Sequence, residues 1–438
     1  MKKLFLLTML LSTVAFSQTE ATESGPSLID LNSRLTYLMT EPNQIFRKEL
    51  VLLEERKKGG LNQHGLILGT QLIAIGNYQK SNRNSKFGYL MRHPTSSNQI
   101  GFEASEAVVH SWKLSAIGNV NSWLTSFVEV LYSPEQSFGA GATITGLTRN
   151  LLQVRQAYVL LGDFNKSPFY LSLGKMNAPF GQQGSVSPFT NSTTWHAFAP
   201  LGYGAQFGVK IKDFNLVVMA VQGGSQFRGL NTSVSGTNVP SIINNGVVDL
   251  NYKLKLGEKA SIKVGGSYVL GCTYCHEFPV LHFDPCTENN PALTLYAKYE
   301  IKERLQIQGS YTKTSGIWPG TYNPTPPLNT FAAARVSAMD AGIKYDFQLG
   351  SETVYSTSFE FSNFIAGALG SPWEFQNQYI LGFSALLKQS NRLFVEGFRT
   401  EGFAPLNFIS GGNLPPGMTI SDRGAKSHGI IIGAMLTF

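Results

Sequence analysis

The sequence has 438 residues, with 35 Lys and Arg against 28 Asp and Glu, for a formal charge of +7. Charged residues make up only 14%, aromatics reach 12% and Gly numbers 44, whereas an ordinary soluble protein carries about 25% charge. So much Phe, Tyr, Leu and Ile excludes a disordered chain. Past the N-terminus no run approaches the roughly 18 apolar residues of a spanning helix, which excludes a helical membrane protein. The combination fits a transmembrane β-barrel, whose strands alternate apolar with polar residues.

In chain order, residues 1–17 read as a secretory signal. Lys2 and Lys3 form a positive start, Leu4 to Leu11 an apolar stretch broken only by Thr8, and Ala15-Phe16-Ser17 a small-residue cleavage site before Gln18. Cleavage leaves 33 basic and 28 acidic residues, a mature charge of +5. No Cys follows the site, which argues against a lipid anchor.

Residues 18–60 form a separate helical piece. Leu28, Leu31, Leu35 and Leu38 follow a 3-4-3 spacing, Pro42 interrupts, and Phe46, Leu50 and Leu53 resume an apolar stripe until Gly59-Gly60. The expectation is an amphipathic, coiled-coil-like segment in the periplasm ahead of the barrel, with a plug inside the pore as the alternative.

From residue 61 to 438 the period changes to two. Val248, Leu250, Tyr252 and Leu254 alternate with Asp249, Asn251, Lys253 and Lys255; Ile262, Val264 and Tyr268 return after the turn at Gly257. Strands are expected at 64–79, 106–117, 123–132, 151–161, 169–176, 203–212, 214–223, 246–256, 260–270, 291–300, 304–314, 335–346, 352–362, 375–387, 391–400 and 427–438. Connections alternate between short turns and longer loops, the pattern of an outer-membrane barrel with short periplasmic turns. The predicted fold is therefore all-β: a 16-stranded antiparallel transmembrane barrel behind a short helical segment, in the outer membrane of a Gram-negative bacterium. The final strand places Ile430, Ile432, Ala434, Leu436 and Phe438 on one face. It resembles the C-terminal strands by which the barrel assembly machinery recognises its clients.

The third long loop, 177–202, is the expected constriction, with Pro179, Phe180, Trp195 and His196 among its solute-facing candidates. The next-but-one long loop holds all three cysteines. Cys272-Thr273-Tyr274-Cys275-His276 matches a c-type haem attachment pattern, and with His282 and Cys286 it can be drawn as a metal site. In an oxidising compartment the favoured reading is a disulfide joining Cys286 to Cys272 or Cys275, with no metal and no cofactor.

Sixteen strands leave room for an aqueous channel. Alternation assigns Lys113, Arg155, Lys210, Lys253, Lys255, Lys263, Lys298 and Lys344 to the lumen, with Glu129, Asp249, Asp340, Glu360 and Glu396. The basic excess predicts a preference for anions; the alternative is that these groups pair and brace the barrel, or that some bind lipopolysaccharide phosphates outside. His110 and His428 lie on strands without a nucleophile motif, so no enzyme activity is expected. The dispersed positive charge argues against nucleic acid as a partner.

The run Arg155-Gln156-Ala157-Tyr158-Val159-Leu160-Leu161-Gly162, then Pro168-Phe169-Tyr170-Leu171-Ser172-Leu173-Gly174-Lys175 and Pro179-Phe180-Gly181, resembles the siderophore porin family typified by the legiobactin receptor. Those are outer-membrane iron-uptake barrels of intracellular gammaproteobacteria. The resemblance implies uptake of a ferric siderophore by a porin-like channel, and carries no ligand residues with it. Phosphate-selective porins show a similar strand-turn-strand and Pro-Phe-Gly pattern, so a general or anion-selective porin stays open, as does a surface adhesin. The expected partners are a small solute, outer-membrane lipid and lipopolysaccharide, the assembly machinery, and further copies of the chain in a homo-oligomer.

Overall fold

A computed structural model describes residues 29–88, 100–132, 152–182, 184–222, 242–277, 286, 288–302, 304–349, 352–404 and 415–438. The expected signal at 1–17 and His282 lie outside the described residues. The elements begin with β1 (Ile29–Leu31), α1 (Ser33–Thr40) and α2 (Lys48–Lys57). The barrel strands follow: β2 (Gly65–Ser81), β3 (Glu103–Asn119), β4 (Leu124–Tyr132), β5 (Leu152–Gly162), β6 (Phe169–Asn177), β7 (Leu201–Ile211), β8 (Phe214–Gln222) and β9 (Ile243–Leu256). They continue with β10 (Ala260–Val269), β11 (Ala292–Ile301), β12 (Leu305–Thr314), β13 (Ser337–Gln348), β14 (Thr353–Ile365), β15 (Phe375–Leu387), β16 (Asn391–Phe403) and β17 (Asp422–Thr437). Between β6 and β7 lies α3 (Thr193–Phe198).

Each barrel strand pairs antiparallel with its neighbours, and β17 closes on β2 from Ser427↔Ser81 to Thr437↔Gln71. Closure pairs the backbone groups that a sheet edge would expose to lipid. Leu250, Leu254, Leu295, Ile343, Phe359, Leu381 and Ile432 face outward and exposed, as the apolar half of the alternation requires. Tyr345, Phe347, Tyr355 and Phe383 stack in series across β13, β14 and β15, an aromatic girdle near the short-turn end. No described helix is long and apolar enough to cross a membrane. This is a 16-stranded outer-membrane barrel.

Several strands outrun the expectation at their loop ends. β3 begins at Glu103 rather than 106, β17 at Asp422 rather than 427, and β2 runs to Ser81. The added residues are mostly polar and pair above the apolar belt, where hydropathy no longer marks the strand.

The N-terminal piece differs more. Leu31, expected on a helix, lies in β1, which pairs parallel with Leu66–Leu68 of β2. There β17 has already ended, since Phe438 exchanges its last backbone bonds with Thr70. The open edge of β2 takes up β1, and the chain then turns inside the barrel.

Candidate functional site

Among the described residues, two inserts occupy the lumen and meet there. The first is the N-terminal segment. Asn32 caps α1 by accepting from the Leu35 N–H at 2.9 Å. Leu35 and Met39 of α1 then join Leu52 and Leu53 of α2 in one buried cluster with Ile67, Ile117, Phe127, Tyr158, Leu160 and Tyr170 of the wall. The helices therefore sit within the short-turn mouth, not in the periplasm ahead of it, because their leucine stripe buries against inward-facing apolar residues of β2 to β6. Gly69 makes the approach possible: a Cβ there would lie 2.1 Å from Thr36 Oγ1.

Charge fastens this plug to the wall. Arg392 of β16 pairs with Glu41 at 3.3 Å, both buried, and donates to Gln44 Oε1 at 3.1 Å and to the Tyr37 hydroxyl. Glu41 also accepts from the N–H groups of Asn43, Gln44 and Ile45 at 2.9, 2.6 and 3.1 Å. Burial pushes Glu41 upward, but Arg392, Lys48 and those N–H groups outweigh it and hold it below the ordinary carboxylate range. Burial pushes Lys48 down to about 8; its ammonium donates to the Leu38 and Glu41 carbonyls, both at 2.7 Å. At the other end Arg47 donates to the Tyr170 hydroxyl at 3.1 Å and Arg56 to Thr125 and the Gly162 carbonyl.

The second insert is the loop between β6 and β7, described at 178–182 and 184–200, which folds inward and crosses to the far wall. Gly181 N–H donates to Ser267 Oγ at 2.8 Å on β10. Val186 N–H and Ser185 Oγ donate to Glu360 of β14 at 2.9 and 2.7 Å. The N–H groups of Phe189 and Thr190 donate to Glu396 of β16 at 2.7 and 3.1 Å. Phe189 fills an apolar socket of Ile73, Ile75, Ile380, Phe398, Ile431 and Met435, stacked on Phe394 at 5.1 Å and edge-on to His110 at 5.1 Å. Glycines give the wall room here: a Cβ at Gly342 would meet Val186 at 2.5 Å, and one at Gly382 would meet Pro188 at 2.5 Å. Plug and loop are joined directly. Ser185 N–H donates to the Asn43 carbonyl at 2.9 Å, and Arg392 donates to the Pro188 carbonyl at 2.9 Å.

The expected constriction residues Pro179, Phe180, Trp195 and His196 are all buried. They pack the loop onto the wall instead of facing a solute: Phe180 lies beside Phe198, Val269 and Cys272, and α3 packs on β13 and β14. Among the lumen candidates, Lys113 and Arg155 flank Glu129 at 3.8 and 3.7 Å, and Lys113 also donates to the Thr40 carbonyl of the plug. Lys210 pairs with Glu54 of α2. Glu360 and Glu396 hold loop backbone, and Asp340 accepts from Ser310. Asp249 accepts from Ser267 Oγ at 2.6 Å and from the Tyr296 hydroxyl at 2.8 Å, with Arg47 3.8 Å away.

The remaining lysines share one wall, β9 to β13, on the side where the plug leaves solvent. Lys253, Lys263 and Lys298 lie in direct register on three adjacent strands. Lys298 pairs with Glu300 at 2.8 Å, Lys253 reaches the same carboxylate at 3.8 Å, Lys255 pairs with Asp213 at 3.7 Å and Lys344 with Asp346 at 3.1 Å. Lys263 sits 5.6 Å over the Tyr296 ring and has no carboxylate within ion-pair distance among the described residues. Five lysines thus share three ion-paired carboxylates, with Asp249 acting on Lys263 from further along the wall, and Lys253 is 46% and Lys298 27% exposed.

On the loop side, Cys275 is bonded to Cys286, and Cys272 is a buried free thiol, pushed up to about 12 by that burial. Of the two pairings the sequence left open, this is the one found. With Cys275 so bonded, the two thiols a c-type haem would need are not both free. No cluster of metal-ligating side chains occurs among the described residues.

No family model matches the sequence, and no curated protein matches it. Solved structures do. OprB of Pseudomonas putida aligns over 85% of this chain and 94% of its own, with a TM-score of 0.53 at 9% identity. The chain has the fold of the outer-membrane porins. The outer membrane channel DcaP of Acinetobacter baumannii (14% identity, 85% and 97% covered, TM-score 0.48) is also similar. So is an anion-selective porin from Comamonas acidovorans (12%, 85% and 100%, TM-score 0.47).

Proposed function

We propose that this barrel is a gated, non-catalytic channel for small anionic solutes, and that a ferric siderophore is its physiological cargo. The observation that carries the anionic reading is the lysine row Lys253, Lys263 and Lys298. Like charges directly opposed across a sheet are destabilising, and the shared Glu300, with Asp249 further along the wall, offsets only part of that repulsion. An anion entering from the short-turn side completes the balance and is drawn to that wall. The siderophore rests on the family resemblance. Passage requires the plug and loop to move, which is why the channel is proposed to be gated.

The test is the reversal potential in planar bilayers under a KCl gradient, for the full chain and for Lys263→Gln. The expectation is an anion-selective current whose chloride-to-potassium permeability ratio falls about two- to fivefold in the variant, the worth of one partly screened charge. A cation-selective or unchanged ratio refutes the anionic reading. Saturable block of the current by a ferric siderophore, but not by the iron-free chelator, separates an iron-uptake channel from a general anion porin. A chain that conducts nothing in either gate state is a structural or adhesive barrel.

A further inference from the structure

The outward face of β16, β17 and β2 departs from the apolar pattern at its loop-side end. Arg399, His428 and Lys80 lie in direct register on these three adjacent strands, with Lys426 one row above. All four side chains are exposed. Glu103 holds Lys80 at 2.8 Å and Glu401 holds Arg399 at 2.6 Å, so two carboxylates face four groups able to carry positive charge. No other trio of adjacent described strands places three basic side chains in register on the lipid side.

Depth follows from the strand. His428 on β17 lies ten residue steps before Phe438, just past the strand's end, about 33 Å of extended chain. A tilt near 40° reduces that to roughly 25 Å of height, the thickness of the apolar band of such barrels. The basic row therefore sits at the headgroup level of the loop-side leaflet, where lipid phosphates lie. Directly beneath it a groove of about 460 Å³ opens between Phe359, Leu381, Tyr78 and Ile430, with Arg399 and His428 at its upper end. Gly397 forms part of its floor, and a Cβ there would meet nothing within 4 Å.

A cationic head over an apolar trough has the shape and charge of one ligand class. We infer that this face binds a phosphorylated, acylated lipid of the outer leaflet, its phosphate on Arg399, Lys80 and Lys426 and an acyl chain along Gly397. This goes beyond the channel reading and does not depend on it.

The test uses the full chain in phosphatidylcholine nanodiscs doped with diphosphorylated lipid A or with its dephosphorylated form, and counts retained lipid by native mass spectrometry. The diphosphorylated form is expected to be retained about tenfold or more over the other, since each basic side chain near an anionic surface contributes roughly fivefold. Lys80→Gln/Arg399→Gln/Lys426→Gln should abolish the preference, and Gly397→Phe should lower retention of both forms by filling the trough. Heat-modifiable gel mobility verifies that each variant is a folded barrel; Arg399→Lys, which keeps the charge, covers the case of a triple variant that fails to fold. Equal retention of the two lipids overturns the proposal. So does efficient disulfide linkage of Gly397→Cys chains to one another, which would show that a second copy covers the face.

Discussion

Arg392 is a wall residue that holds both inserts, so its removal is the sharpest perturbation of the proposed gate. Its guanidinium pairs with Glu41 and bonds Gln44 and Tyr37 in the plug and the Pro188 carbonyl in the loop. Arg392→Met keeps an unbranched apolar stem and leaves the Glu41 carboxylate buried without its main partner. Breaking a buried pair from one side costs about 3–5 kcal/mol. Glu41 retains three backbone N–H donors and the neighbouring Lys48, so the lower end, about 3 kcal/mol, is the appropriate figure. That raises the ratio of released to seated plug roughly 150-fold. Single-channel recording should show this as a corresponding rise in open probability, with unit conductance in the open state little changed. Glu41→Gln/Arg392→Met should be less active than the sum of the single effects predicts, as required of two groups that act on each other. An Arg392→Met barrel that folds, yet opens as rarely as the parent, would refute the idea that these inserts form one gate.

Two further outcomes follow from the same geometry. Gly69→Val adds a side chain where Thr36 already sits 2.1 Å from a Cβ; the strand tolerates valine, so α1 is displaced, and accelerated proteolysis between residues 33 and 57 together with higher conductance should report it. Glu41 is held below its ordinary value near 4.5 in the seated plug, so its contribution to seating is complete above that pH and is lost as pH falls through the depressed value. Open probability should therefore climb as the bath is acidified below about 4.5, and Glu41→Gln should remove the plug's share of that response.

The lipid-facing half of the molecule was legible from alternation, because lipid imposes one rule on every outward residue. Ile430, Ile432 and Leu436 are exposed as expected, and strands β9 to β12 pair in the register their polar and apolar faces imply. The inward face obeys no such uniform rule. A signal of the plug is present in the inward positions Ile67, Ile117, Phe127 and Leu160, too apolar for a water-filled pore. The acids Glu360 and Glu396 read as charges for a solute, but they serve as acceptors for loop N–H groups.

Period-two hydropathy, the alternation of turn and loop lengths and the aromatic last strand were enough to specify a sixteen-stranded outer-membrane cylinder, since each depends only on residues near in sequence and on the contrast between lipid and water. What fills the cylinder depends on partners far apart along the chain: Asn43 bonds the Phe189 carbonyl 146 residues away, and Tyr37 meets Arg392 across 355. Such contacts come into being only when the wall has closed around its inserts, so the plug, the loop that grips it and the partly exposed lysine wall belong to the folded molecule alone.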